Sequence, residues 1–149
     1  MDVNPKSINE SLKILTLLRL DAQRVFERVK YREPEYMHFF SAKRTRDHFP
    51  EIFKNRYYEM KVSDLLDCGE EVLIGLDQFY TTMDNLKWYL MVTEDMPGTV
   101  QEHVTHAISE LEEAYELLQL YINAELESLR PAPPSLPSDS QDFSEDYSE

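Results

Sequence analysis

The chain predicts an all-α protein, an antiparallel helical bundle of three long helices plus one or two short ones, with a disordered C-terminal tail. Three observations carry this expectation. Only three of the 149 residues are glycine, too few for a turn-rich all-β fold, while 42% are hydrophobic, more than a disordered chain carries. Apolar side chains recur every three or four residues along three long stretches. Beyond residue 130 the composition turns abruptly to proline and then to acid. A bundle domain over residues 1–130 and a tail over 131–149 follow, and about 130 residues can bury roughly two thirds of their unfolded surface.

The first long helix is expected to open at the box Ser7-Ile8-Asn9-Glu10, in which hydroxyl and carboxylate satisfy each other's backbone amides. Ile8, Leu12, Leu15, Ala22, Val25, Phe26 and Val29 then mark one buried face. Ile14, Leu17 and Leu18 widen it, which places the helix centrally or under another chain. Across residues 33–62, Pro34 and Pro50 suit first helical turns but break a continuous helix, so two short helices are expected, about 35–47 and 50–61.

The next long helix carries Leu65, Leu66, Val72, Leu73, Leu76, Phe79, Tyr80, Met83, Leu86 and Leu90, starting either at Ser63 or near Glu70. Gly69 and Gly75 each weaken it by about 1 kcal/mol relative to Ala. Glu94 to Gly98 ends it, and Thr99-Val100-Gln101-Glu102 reads as the capping box of the last helix. That helix buries Val100, Val104, Ala107, Ile108, Leu111, Ala114, Tyr115, Leu118, Ile122, Leu126 and Leu129, and turns Glu110, Glu112, Glu113, Glu116, Glu125 and Glu127 outward. A joint of about four residues forces these two helices into an antiparallel hairpin that the first helix covers. Four prolines between residues 131 and 137 forbid further helix, and the acidic end that follows lacks a basic residue.

Charge is distributed unevenly. Residues 1–62 hold 13 Lys/Arg against 9 Asp/Glu, a net of +4, whereas residues 63–149 hold 2 against 20, a net of −18. Such asymmetry speaks to partners rather than to fold. The single cysteine, Cys68, permits no internal disulfide, no cysteine zinc cluster and no redox pair, which fits a reducing compartment. The apolar run Ile14 to Leu20 contains Arg19 and follows Lys13, so it reads as neither signal peptide nor membrane span. A cytoplasmic protein without membrane contact is expected.

Catalytic and cofactor chemistry finds little footing. Glu102-His103-Val104-Thr105-His106 lacks the paired Glu-x-x-His repeat of carboxylate-bridged metal sites, and three separated glycines cannot form a phosphate loop. Cys68 beside a helix start is either an activated thiol or, more simply, an ordinary half-buried one. No catalytic residue, no metal ligand and no cofactor is therefore expected.

Two features point to binding. A basic island of Lys43, Arg44, Arg46, Lys54 and Arg56, with Lys61, is interleaved with Phe39, Phe40, His48, Phe49 and Tyr57. Cations that hold phosphates and rings that stack on bases suit nucleic acid or a phosphorylated ligand; alternatively the rings are core and the cations balance an acidic protein. In the tail, Phe143 and Tyr147 stand four apart among acids, either a motif for a basic-rimmed groove, this chain's own island included, or part of a solubilising extension. The leading expectation is a non-enzymatic helical adaptor, regulatory or chaperone-like protein acting on another protein, homo-oligomerisation included. Nucleic-acid binding is the alternative, and a metal-dependent bundle a distant third.

Overall fold

The computed structural model describes residues 5–36 and 46–130, and their elements are helical throughout. Helix α1 runs Pro5–Tyr31, α2 is the single turn Phe49–Ile52, and a 3-10 turn spans Tyr57–Glu59. A further turn, α3, covers Val62–Leu65, and the long helices α4 and α5 span Glu70–Val92 and Pro97–Leu129. A short helical stretch at 33–36 also follows α1.

Residues 93–96 join α4 to α5, and the pair forms an antiparallel hairpin. Gly69 meets Glu125 at one end and Tyr89 stacks on His103 at the other. Helix α1 lies along α5 in the opposite sense, so it runs parallel to α4. Arg19 reaches Asn123, Phe26 stacks on Tyr115 at 4.3 Å, Lys30 pairs with Glu112 at 2.8 Å, and Thr105 reaches Glu33. The core between the three helices is filled by Leu15, Leu18, Ala22, Val25, Val29, Leu76, Phe79, Met83, Leu86, Leu111, Leu118 and Ile122. Exposed ion pairs such as Lys30–Glu112 contribute about 0–1 kcal/mol each, so apolar burial holds the bundle together.

Both expected capping boxes fall inside their helices. Helix α1 begins at Pro5, ahead of Ser7, and α5 at Pro97 with Met96 as N-cap, ahead of Thr99. Proline explains both shifts, because its fixed φ suits the first turn and its missing N–H forfeits no bond there. In the apolar stripes, Leu17 is 49% exposed and Leu66 70% exposed, so neither widens the core. Helix α4 starts at Glu70, after a break that separates it from α3.

The expected helix 50–61 is broken into α2 and the 3-10 turn, and side chains from elsewhere break it. The Arg28 guanidinium donates to the carbonyls of Ile52, at 2.8 Å, and of Lys54. The Asp21 carboxylate accepts the amides of Arg56 at 2.9 Å and Tyr57 at 3.3 Å, and Asn55 accepts that of Tyr58 at 3.0 Å. Backbone groups that a helix would pair internally are thus claimed by α1 and by a local turn. Of the expected helix 35–47, residues 37–45 lie outside the described residues, as does the tail 131–149.

Candidate protein-interaction surface

Helix α4 turns Leu76, Phe79, Tyr80, Met83, Leu86 and Leu90 into the core. Residues 77, 81, 84 and 88 follow one another at spacings of four, three and four, so Asp77, Thr81, Asp84 and Trp88 share a face about 140° around the helix from that stripe. Met91 and Val92 extend it by one turn. Trp88, the only tryptophan, is 67% exposed, with Met91 at 38%, Val92 at 48% and Met96, in the loop beyond, at 74%. Arg46 is fastened beside this patch, its Nη1 donating to the Met91 carbonyl at 3.1 Å.

Next to Trp88 the same face opens into a pocket of about 280 Å³ lined by Tyr57, Tyr58, Asp77, Tyr80, Thr81 and Asp84. Tyr80 is fixed from below, donating to Asp21 at 2.6 Å, and Tyr57 stacks on it at 4.2 Å and 6°. Tyr58 stands 5.9 Å from each ring, tilted 55° and 58°, and its hydroxyl donates to the Tyr80 carbonyl at 3.2 Å. Burial, then the Asp84 charge, pushes the Tyr58 phenol up to about 12, and burial with Asp77 raises Tyr57. The rings therefore stay neutral in a field set by two carboxylates.

Of the site residues singled out by sequence, the structure describes Arg46, Lys54 and Arg56. Lys43 and Arg44, like Phe143 and Tyr147, lie outside the described residues. Arg46 binds the end of α4, whereas Lys54 and Arg56 line another cavity, of about 390 Å³, with Asp21, Arg24, Arg28, Glu51 and Glu59. Of the island's rings, Phe49 is buried and Tyr57 lies against Tyr80, while Phe39 and Phe40 lie outside the described residues. Around Lys54 and Arg56 the described residues place side chains of both charges rather than a row of exposed rings.

Cys68 precedes Gly69, the N-cap of α4, but its thiol is buried and pushed up to about 11, first by desolvation and then by Glu125 and Asp67. Desolvation outweighs any help from the helix start, and the activated-thiol alternative falls. His106 pairs with Glu110 at 2.6 Å and His103 stacks on Tyr89 at 3.6 Å. Among the described residues no group of three or more His, Cys, Asp or Glu is placed to hold a metal ion, and no helix is long and apolar enough to cross a membrane.

Sequence reasoning missed Trp88, Met91, Tyr58, Asp77 and Asp84 as surface groups. A signal was present for the first two: a lone tryptophan and a methionine fall off the 3.6-residue stripe that the neighbouring leucines keep. No family model, no curated protein and no solved structure matches the chain significantly.

Proposed function

We propose that the protein is a non-enzymatic helical adaptor or regulatory protein, chaperone-like in its use of exposed apolar surface, that binds another protein in the cytoplasm through the outer face of α4. The observation that carries this reading is the patch Trp88, Met91, Val92 and Met96 at the hairpin tip. Tryptophan and methionine are enriched where proteins meet, and a well-packed tryptophan often dominates the binding energy. A soluble monomer that leaves its sole tryptophan two-thirds in water forgoes burial worth several kcal/mol.

The test compares tagged wild-type protein with Trp88→Ser in quantitative affinity capture, with circular dichroism confirming that the variant folds. A set of proteins retained by the wild type and lost by the variant supports the proposal, and an identical set in both removes it. Light scattering on the same pair distinguishes a foreign partner from a second copy of this chain. A second reading, binding of nucleic acid or a phosphorylated ligand, draws on Arg24, Arg28, Lys54 and Arg56 around the larger cavity. Three carboxylates share that wall, which dilutes its attraction for anions. Steep loss of capture with salt favours this second reading, and salt-resistant capture favours the α4 face.

A further inference from the structure

We infer that the tyrosine-walled pocket of Tyr57, Tyr58, Tyr80, Asp77 and Asp84 is the seat for the guanidinium group of an arginine carried by a partner protein. This rests on the adaptor reading and specifies part of what the partner must present. The pocket combines two elements that a guanidinium uses together: aromatic surface to lie on and carboxylates to receive its N–H groups.

The geometry favours one flat cation. Tyr57 is stacked on the buried Tyr80, which backs it, so the aromatic surface open to a ligand is that of Tyr57 and Tyr58 rather than a cage. Tyr58, tilted by more than 50° to that stack and pinned by its hydroxyl to the Tyr80 carbonyl, presents a fixed second surface. At about 280 Å³ the open space has room for an arginine side chain. Asp77 makes no ion pair among the described residues, and Asp84 reaches Lys87 only at 3.7 Å, so both carboxylates have acceptor capacity left. An arginine fork exploits this better than a lysine ammonium, which is more strongly hydrated and cannot stack in a plane.

Position on the helix supplies the context. Asp84 lies four residues before Trp88, about 6 Å along the axis, so pocket and apolar patch form one continuous strip. A partner segment that covers Trp88 and Met91 with apolar side chains would carry its arginine one to two turns away. Residues 63–130 hold 2 Lys/Arg against 15 Asp/Glu, a net of −13, and draw such a segment in.

The experiment titrates isotopically labelled full-length protein with a capped Gly-Gly-Arg-Gly-Gly peptide and with its lysine and glutamine counterparts, reading amide and tyrosine-ring resonances. The arginine peptide should shift Tyr57, Tyr58, Asp77, Thr81 and Asp84 saturably and bind about two- to fivefold more tightly than the lysine peptide. The Asp77→Asn/Asp84→Asn double variant should weaken it about fivefold, and Tyr58→Leu about threefold. Leu120→Ser, at an exposed position of α5 that lines neither the pocket nor the apolar patch, should leave peptide affinity unchanged; the peptide carries no apolar residue to cover Trp88, so a failed capture experiment and a failed titration point to different errors. No saturable shift, equal response to arginine and lysine, shifts spread along the acidic face of α5, or indifference to the double variant would each overturn the assignment.

Discussion

Replacing Asp21 with alanine should be among the most damaging single changes on α1, although the residue is polar and only half-buried. Its carboxylate accepts three hydrogen bonds, from the Arg56 amide at 2.9 Å, the Tyr57 amide at 3.3 Å and the Tyr80 hydroxyl at 2.6 Å. Hydrogen bonds to a charged group contribute about 1.5–3 kcal/mol each, but water replaces the two near-surface partners in the variant. The Tyr80 hydroxyl belongs to a residue 2% exposed and has no such substitute, so most of its desolvation penalty is felt. Together these give a loss of about 3 kcal/mol, or roughly 10 °C in Tm for a domain of this size. Urea unfolding followed by circular dichroism measures it, with Asp21→Asn expected to lose about half as much because it keeps one acceptor oxygen. A double-mutant cycle with Tyr80→Phe should show coupling of about 1 kcal/mol. A loss below about 0.5 kcal/mol for Asp21→Ala, the size of an ordinary surface change, would refute the role assigned to this residue, and strict additivity in the cycle would refute its link to Tyr80.

Leu76→Ala and Leu118→Ala, each at a fully buried position, should destabilise by about 2–5 kcal/mol in the same assay. Gly75→Val should lose about 1–3 kcal/mol through crowding, because even a Cβ there stands 3.2 Å from Leu118 Cδ1 and Tyr121 Cδ2. Cys68, with its thiol pushed up to about 11 from 9.0, should react with a thiol reagent near pH 8 about a hundredfold more slowly than a free cysteine. Tyr36 and Tyr80 are held by burial above their ordinary 10.0, so the stability they contribute is intact below that pH and lost as pH rises beyond it; urea midpoints should be level near neutrality and fall above about pH 10.

The hairpin was legible because its signals are local. The stripes on α4 and α5 keep period 3.6 over many turns, and the joint at 93–96 with Pro97 just past it leaves an antiparallel return as the simple solution. The stretch from Phe49 to Leu65 was not legible. Its local propensity favours a helix, but Asp21 and Arg28, more than twenty residues away, capture the backbone groups that helix would need. The proposed surface was hidden for a related reason. Tyr57 and Tyr58 come together with Tyr80 and Asp84 of α4 only on folding, and the sequence groups Tyr57 instead with the cations beside it.

The order in which the helices leave the ribosome gives the α1–α5 pairing a consequence for synthesis. Arg19 finds its partner Asn123 across a separation of 104 residues. At about 5–20 residues per second, the apolar face of α1 waits roughly 5–20 s for the helix that shields it. The α4–α5 hairpin, closed by contacts near in sequence, has no such delay. The nascent chain thus carries the Leu15-Leu18-Ala22-Val25 stripe without its α5 cover until that helix emerges, and that interval is when the stripe is most exposed to aggregation.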